Sequence, residues 1–144
     1  MKHYRLTEES VQMYDKTLYR IQATVDMPQH GVKAGDLGGY VESYENLSEN
    51  AWVGGNAKVF VNAQVSDNAH VYGNAHVYGN AWVFGTATVA GNAQVYGNAW
   101  VFGNAKVYGN AWIYGDRKVY NIIIKGDKRR QITKWDILKS RNKK

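Results

Sequence analysis

Cysteine is absent from all 144 residues, which excludes a disulfide framework and any thiolate metal ligand. No apolar run is long enough to span a bilayer, and the opening MKHYRLTEES lacks the apolar core of a signal peptide. The expectation is a cytoplasmic protein with no membrane contact. Acidic ladders of the kind that mimic DNA are missing, and so are the flat threonine ladders of an ice-binding surface, since only Thr86 and Thr88 occur in the repeat region. The length suits one domain and is short for two. Positive charge is scarce outside the end of the chain. From Arg117 onward there are eleven Lys or Arg against two Asp, whereas the preceding residues hold seven basic against ten acidic groups. The net charge of +6 therefore belongs to the tail.

What the sequence does contain is a repeat. Alanine recurs every six residues from Ala51 to Ala111, and a β-branched residue follows two places after each, from Val53 to Ile113. Val41 and Leu47 extend this second series back, and Val119 extends it forward. The unit is Asn-Ala-x-Val-(Tyr/Phe)-Gly. In extended backbone Ala and Val face one way, while x and the aromatic face the other. Gly-Asn then tolerates the left-handed backbone of a corner. One short strand and one bend in every six residues require the chain to coil.

With Val59 to Ala63, Val77 to Ala81 and Val101 to Ala105 as examples of an aliphatic residue followed four places later by a small one, residues 41–121 resemble the hexapeptide-repeat left-handed β-helix family. The resemblance implies an all-β, single-stranded left-handed parallel β-helix with three hexads per turn. It also implies parallel homotrimers and, in many relatives, acyltransferase activity. One departure stands out: the residue after the aliphatic is small or acidic in that family and mostly aromatic here.

Three hexads per turn place residues eighteen apart on one face, about 4.8 Å from rung to rung. Face one then carries Trp52, His70, Thr88 and Lys106. Face two carries a column Phe60, Tyr78, Tyr96 and Tyr114 beside Lys58, His76, Gln94 and Trp112. Face three carries a block of four rings, Trp82, Phe84, Trp100 and Phe102. Each such ring can bury about 150–250 Å², so the block reaches the size of the largest apolar patch usual on a monomer. Face three is expected to be covered by another subunit around a three-fold axis, with the chain's own termini as the alternative. Phe60, His76, Tyr78, Tyr96, Trp112 and Tyr114 are the candidate face for a ligand or partner.

The ends should cap the coil. Residues 1–40 read as an N-terminal capping segment, with a strand over 17–24 and a turn at 27–31. Residues 122–144 read as a hairpin about Gly126-Asp127, a short helix around Trp135, Ile137 and Leu138, and a basic tail. Lys125, Lys128, Arg129, Arg130 and Lys134 of this tail are candidates for nucleic-acid contact. GDLGG at 35–39 lacks the Lys-Ser/Thr of a phosphate loop, so a tight turn is expected. TLYRIQA, GDLGGYVESYENLS and the aromatic hexads together are similar to a group of phage- and prophage-encoded hexapeptide proteins, some of which carry an acetyltransferase label. That similarity implies a phage or mobile-element origin and a bacterial host.

The four histidines are His3, His30, His70 and His76. An acyltransferase of this fold uses a histidine base with coenzyme A along the coil, and a base needs burial or a charged partner to set its pKa. His70 and His76 occupy ordinary outward positions without an inserted loop. They lie on adjacent faces and diverge, which does not suit the three converging histidines of a zinc site. Neither a metal nor a cofactor is expected, and no residue is assigned a catalytic role. The reading is a non-enzymatic homotrimeric binding protein directed at a host protein or a small nucleotide. A structural spacer and an acyl-CoA-dependent acyltransferase are the alternatives.

Overall fold

Small and β-branched residues alternating with polar or aromatic ones form two-sided strands, and the interior they build is apolar. In the computed structural model, which describes residues 2–126, every hexad Ala from Ala51 to Ala111 and every following aliphatic from Val53 to Ile113 is buried. The strands are short, with two residues in His70–Val71, His76–Val77 and Thr88–Val89. Each lies parallel to the strand eighteen residues on, as in Val71 beside Val89, Val77 beside Val95 and Val83 beside Val101. The result is a β-solenoid of stacked parallel-strand coils with three sheets, of seven, five and four strands. Five of the seven strands in the largest sheet are successive rungs, from Leu37–Val41 to Trp112–Ile113, which sets the height at about five turns.

The corners explain the Gly-Asn pairs. Gly73 has φ +70°, and a Cβ there would sit 2.9 Å from the backbone nitrogen of Gly91, one rung away. Glycine is thus required both by the left-handed backbone and by the tight stacking. Asn62 donates to Asn80, Asn80 to Asn98 and Asn98 to Asp116, at 3.3, 3.3 and 3.4 Å. These side chains bond along the axis of the coil, as expected for a structural ladder.

At the leading end, β1 (Tyr4–Met13) and β2 (Lys16–Ala23) form an antiparallel hairpin. β2 pairs antiparallel with β3 (Leu37–Val41), and β3 runs parallel to Lys58–Val59. The hairpin therefore occupies the sheet edge that the first rung would leave open. Arg20 fastens it, with its guanidinium donating to the Gly38 carbonyl and the Tyr40 hydroxyl and pairing with Glu9 at 2.8 Å. The strand over 17–24 and the turn at 27–31 are present, the latter as a short 3₁₀ turn at Pro28–His30 with Gly31 left-handed. β1 was not foreseen.

At the trailing end, Ile123–Gly126 is one more rung, parallel to Lys106–Gly109. Its register is seventeen residues, Val107 facing Ile124, and Ile124 is buried inside the coil. Ile124 thus fills the inward position that the next valine would have taken. The second hairpin strand, the short helix at Trp135, Ile137 and Leu138, and Lys128, Arg129, Arg130 and Lys134 lie outside the described residues. Lys125 is exposed on the last rung. Among the described residues no helix is long and apolar enough to cross a membrane.

Candidate functional site

The outward columns follow from the register. Phe60, Tyr78, Tyr96 and Tyr114 stack nearly parallel, with centroids 5.0, 5.0 and 5.5 Å apart. Tyr78 donates to Gln94 Oε1 at 3.1 Å. Burial, then the neighbouring Tyr96, pushes the Tyr78 phenol up to about 12. The column is not free along its whole length. Phe60 is only 1% exposed and packs with Leu18 and Tyr40, with Val11 and Met13 alongside. As a partner-facing residue Phe60 is therefore a correction: the hairpin covers it. Tyr78, Tyr96, Trp112, Tyr114 and His76 stay half-buried on that side of the coil.

Face three holds its four rings together as the spacing requires. Phe84 stacks on Phe102 at 4.9 Å and Trp82 meets Trp100 edge-on at 5.4 Å. Within a rung, Trp82 and Phe84 are 4.7 Å apart. The block continues to Tyr120, 5.0 Å from Phe102, and to Lys118, whose ammonium lies 4.3 Å from the Trp100 ring. Trp82 donates its indole N–H to the buried Ser66 hydroxyl at 3.1 Å. Among the described residues, the ring contacts of these four side chains are with each other, Tyr120 and Lys118. Among the described residues none of these ring contacts comes from the N-terminal segment, which meets this face at its leading edge, where Tyr4 donates to the Leu47 carbonyl.

Face one reveals what the repeat alone could not. Trp52, an outward residue of its hexad, is 2% exposed. A Cβ at Gly38 would lie 2.6 Å from the Trp52 ring, and one at Gly39 would lie 2.5 Å from the Ala57 carbonyl. The GDLGG stretch is thus a close approach of the capping segment to the first rung. Below Trp52, His70 meets His30 of the 3₁₀ turn, with centroids 4.7 Å apart. Two shallow clefts of about 380 and 470 Å³ flank this pair. The first is lined by Asp36, Trp52 and Tyr72, the second by Asn68, Thr86 and Thr88. His3 and His30 place ring nitrogens 2.8 Å from the Ala51 carbonyl and 2.7 Å from the Asn50 carbonyl. Burial, then the nearby His30, lowers the His70 imidazole to about 4, and burial chiefly lowers His3 and His76.

This meeting of His3, His30, Trp52 and His70 was missed because no period connects the residues. Gly54, where the repeat expects an aromatic, and the doublet Gly38-Gly39 ahead of the first rung were the available signal. His76 points elsewhere, 6.4 Å from Phe60, so His70 and His76 do diverge. No group of three metal-ligating side chains occurs among the described residues. Nor does any carboxylate among them hydrogen-bond or ion-pair with His70 or His76 to raise its basicity.

Stacked parallel coils with an aliphatic interior and aromatic outer columns define a β-solenoid repeat protein. In agreement, the family model described as YdcK Beta solenoid repeat matches residues 63–79 and 93–109, and each segment spans nearly one eighteen-residue turn. No curated protein matches the chain.

Proposed function

We propose that this chain is a non-enzymatic, homotrimeric binding protein of phage type, built on a left-handed coil with three hexads per turn and directed at a host protein or a small nucleotide. The observation that carries the reading is the asymmetry of the outer surface. The capping segment occupies the leading ends of faces one and two, burying Trp52 and Phe60. On face three, among the described residues, the ring contacts of Trp82, Phe84, Trp100 and Phe102 are with each other, Tyr120 and Lys118. The four rings are half-buried against one another, and what they still show to solvent supplies an apolar part of one partner's share of a standard interface, about 800 Å². A second copy supplies the same surface, which closed rotational symmetry can use. The tyrosine column on face two then lines the cleft beside that interface, where aromatic residues serve as binding hot spots.

Light scattering coupled to gel filtration tests the assembly. The wild-type chain should run at three times its 16.2 kDa, and Trp100→Asp should run as a folded single chain. A monomer at micromolar concentration, or an unchanged mass for Trp100→Asp, overturns the trimer. Thermal shift against mono- and cyclic nucleotides tests the ligand, with any gain expected to vanish in Tyr96→Ala.

A further inference from the structure

The leading rung of a parallel coil has carbonyls with no preceding rung to bond them. In the coil's own ladder the carbonyl of each hexad Ala accepts from the rung before, as Ala69 accepts from Trp52 and Ala87 from His70. Ala51, on the first rung of its column, has no such predecessor. His3 replaces it, with Nε2 at 2.8 Å from the Ala51 carbonyl, and His30 Nε2 lies 2.7 Å from the carbonyl of the adjacent Asn50. Bonding to a carbonyl requires each of these nitrogens to carry the proton. Tyr4 completes the set by donating to the Leu47 carbonyl at 2.7 Å. The third imidazole, His70, belongs to the coil and lies edge-on to His30 at 4.7 Å, beside Tyr72 at 4.7 Å. One corner of the first turn is thus held by three imidazoles, two from the cap and one from the coil.

We propose that His3, His30 and His70 form an acid-sensitive clasp that holds the N-terminal cap on the first turn at neutral pH and loosens as the solution is acidified, while the coil stays wound.

The charges around the cluster leave its imidazolium forms without a counter-ion. On the cap, Asp36 accepts the Lys33 amide at 2.9 Å and Asp26 accepts the Ala34 amide at 2.8 Å. On the coil, Asp67 accepts the Gly85 amide at 3.0 Å and Glu49 accepts the Asp67 amide at 3.3 Å. Each carboxylate is bonded to backbone, and none of the described ones pairs with an imidazole. The cations on these elements, Lys2 and Lys33, add repulsion if anything. Burial opposes a charge on His3 and on His70; beyond that the Ala51 carbonyl favours one on His3, while Lys2 and His30 act against it and His30 acts against one on His70. Protonating one ring therefore penalises the next.

The direction of the pH effect follows. His70 is held at about 4 when docked, against an ordinary 6.5. The undocked state then binds more protons between those values, so docking is full above pH 6.5 and weakens as pH falls toward 4. With allowance for partial solvent screening, His70 alone lowers the docking constant by about tenfold between pH 7 and pH 5. Past the first turn the coil's interior is alanine, valine and isoleucine, and the imidazole there that burial lowers is His76, on the outer surface.

Hydrogen exchange on the full chain at pH 7 and pH 5, corrected for intrinsic rates, reads this directly. Peptides over 17–36 should open about tenfold more at pH 5, and peptides over 93–109 should not change. His70→Phe keeps a ring against His30 and should flatten the pH response of the cap. His30→Gln, which can still donate to Asn50, should reduce it if His70→Phe fails to fold. His76→Gln should leave the response of residues 24–36 intact. Equal cap protection at the two pH values overturns the clasp, and so does a coil that opens together with the cap. A pH response undiminished in both His70→Phe and His30→Gln does the same.

Discussion

The first turn of the coil and the turns after it are made from the same hexad, yet their outward aromatics have opposite fates. Trp52 and Phe60 are 2% and 1% exposed, whereas Trp112, Tyr96 and Tyr114 occupy the same hexad positions further on and keep a face toward solvent. The interiors do not differ, since Ala57 and Val59 are as buried as Ala111 and Ile113. The lesson is that the repeat specifies a rung, while the role of its outward residue is decided by whatever chain lies outside. At the leading end that is the hairpin and the GDLGG approach. Further along, the described residues supply no cover.

The largest test of this contrast is truncation of the two tryptophans. Trp52→Ala should remove about 3–5 kcal/mol, because a fully enclosed indole leaves a cavity between cap and coil. Trp112→Ala, half-buried at the same hexad position, should cost nearer 1 kcal/mol. Urea unfolding of both variants makes the comparison. Equal losses would mean that the cap does not enclose Trp52 in solution.

A smaller effect comes from the corners. Gly97 has φ +68° and stacks between Gly79 and Gly115, with a hypothetical Cβ 2.9 Å from the Gly115 nitrogen. Gly97→Val combines left-handed strain in a β-branched residue with a backbone clash, and should cost about 2–3 kcal/mol. Neighbouring rungs fix the backbone on both sides there, so relaxation is limited. A melting temperature within a degree of wild type would show that the corners are looser than the stacking implies.

These contrasts also show what the sequence could reveal. The inward Ala and Val, the eighteen-residue columns, the Asn ladder and the four-ring block on face three were all legible, because each depends on period and local stereochemistry alone. The burial of Phe60, the enclosure of Trp52 and the meeting of His30 with His70 were not. They depend on where a non-repeating segment folds back, and residues 30 and 70 share no spacing rule. The rung at Ile123–Gly126 was hidden for a related reason. A β-branched triplet before Gly126 suits a hairpin strand and a coil rung equally. The parallel pairing with Lys106–Gly109 is what makes it a rung.

The subtlest difference between the two regions lies at Val61, where the first turn breaks the corner rule. Val61 has φ +60°, in the position that Gly79, Gly97 and Gly115 fill on later rungs. Glu42 accepts its amide at 2.8 Å, and the side chain is 37% exposed. Left-handed backbone costs a β-branched residue about 1–2 kcal/mol, which this turn tolerates because the segment preceding it is the irregular Tyr44–Asn46 turn rather than another regular corner. Val61→Gly relieves that strain, gives up little burial and adds about 0.5–1 kcal/mol of chain entropy to the unfolded state. A net gain of about 0.5 kcal/mol in urea unfolding is expected. A loss of the same size would mean that Val61 packs productively against the cap, and the first turn would then differ from the others in its corners as well as in its cover.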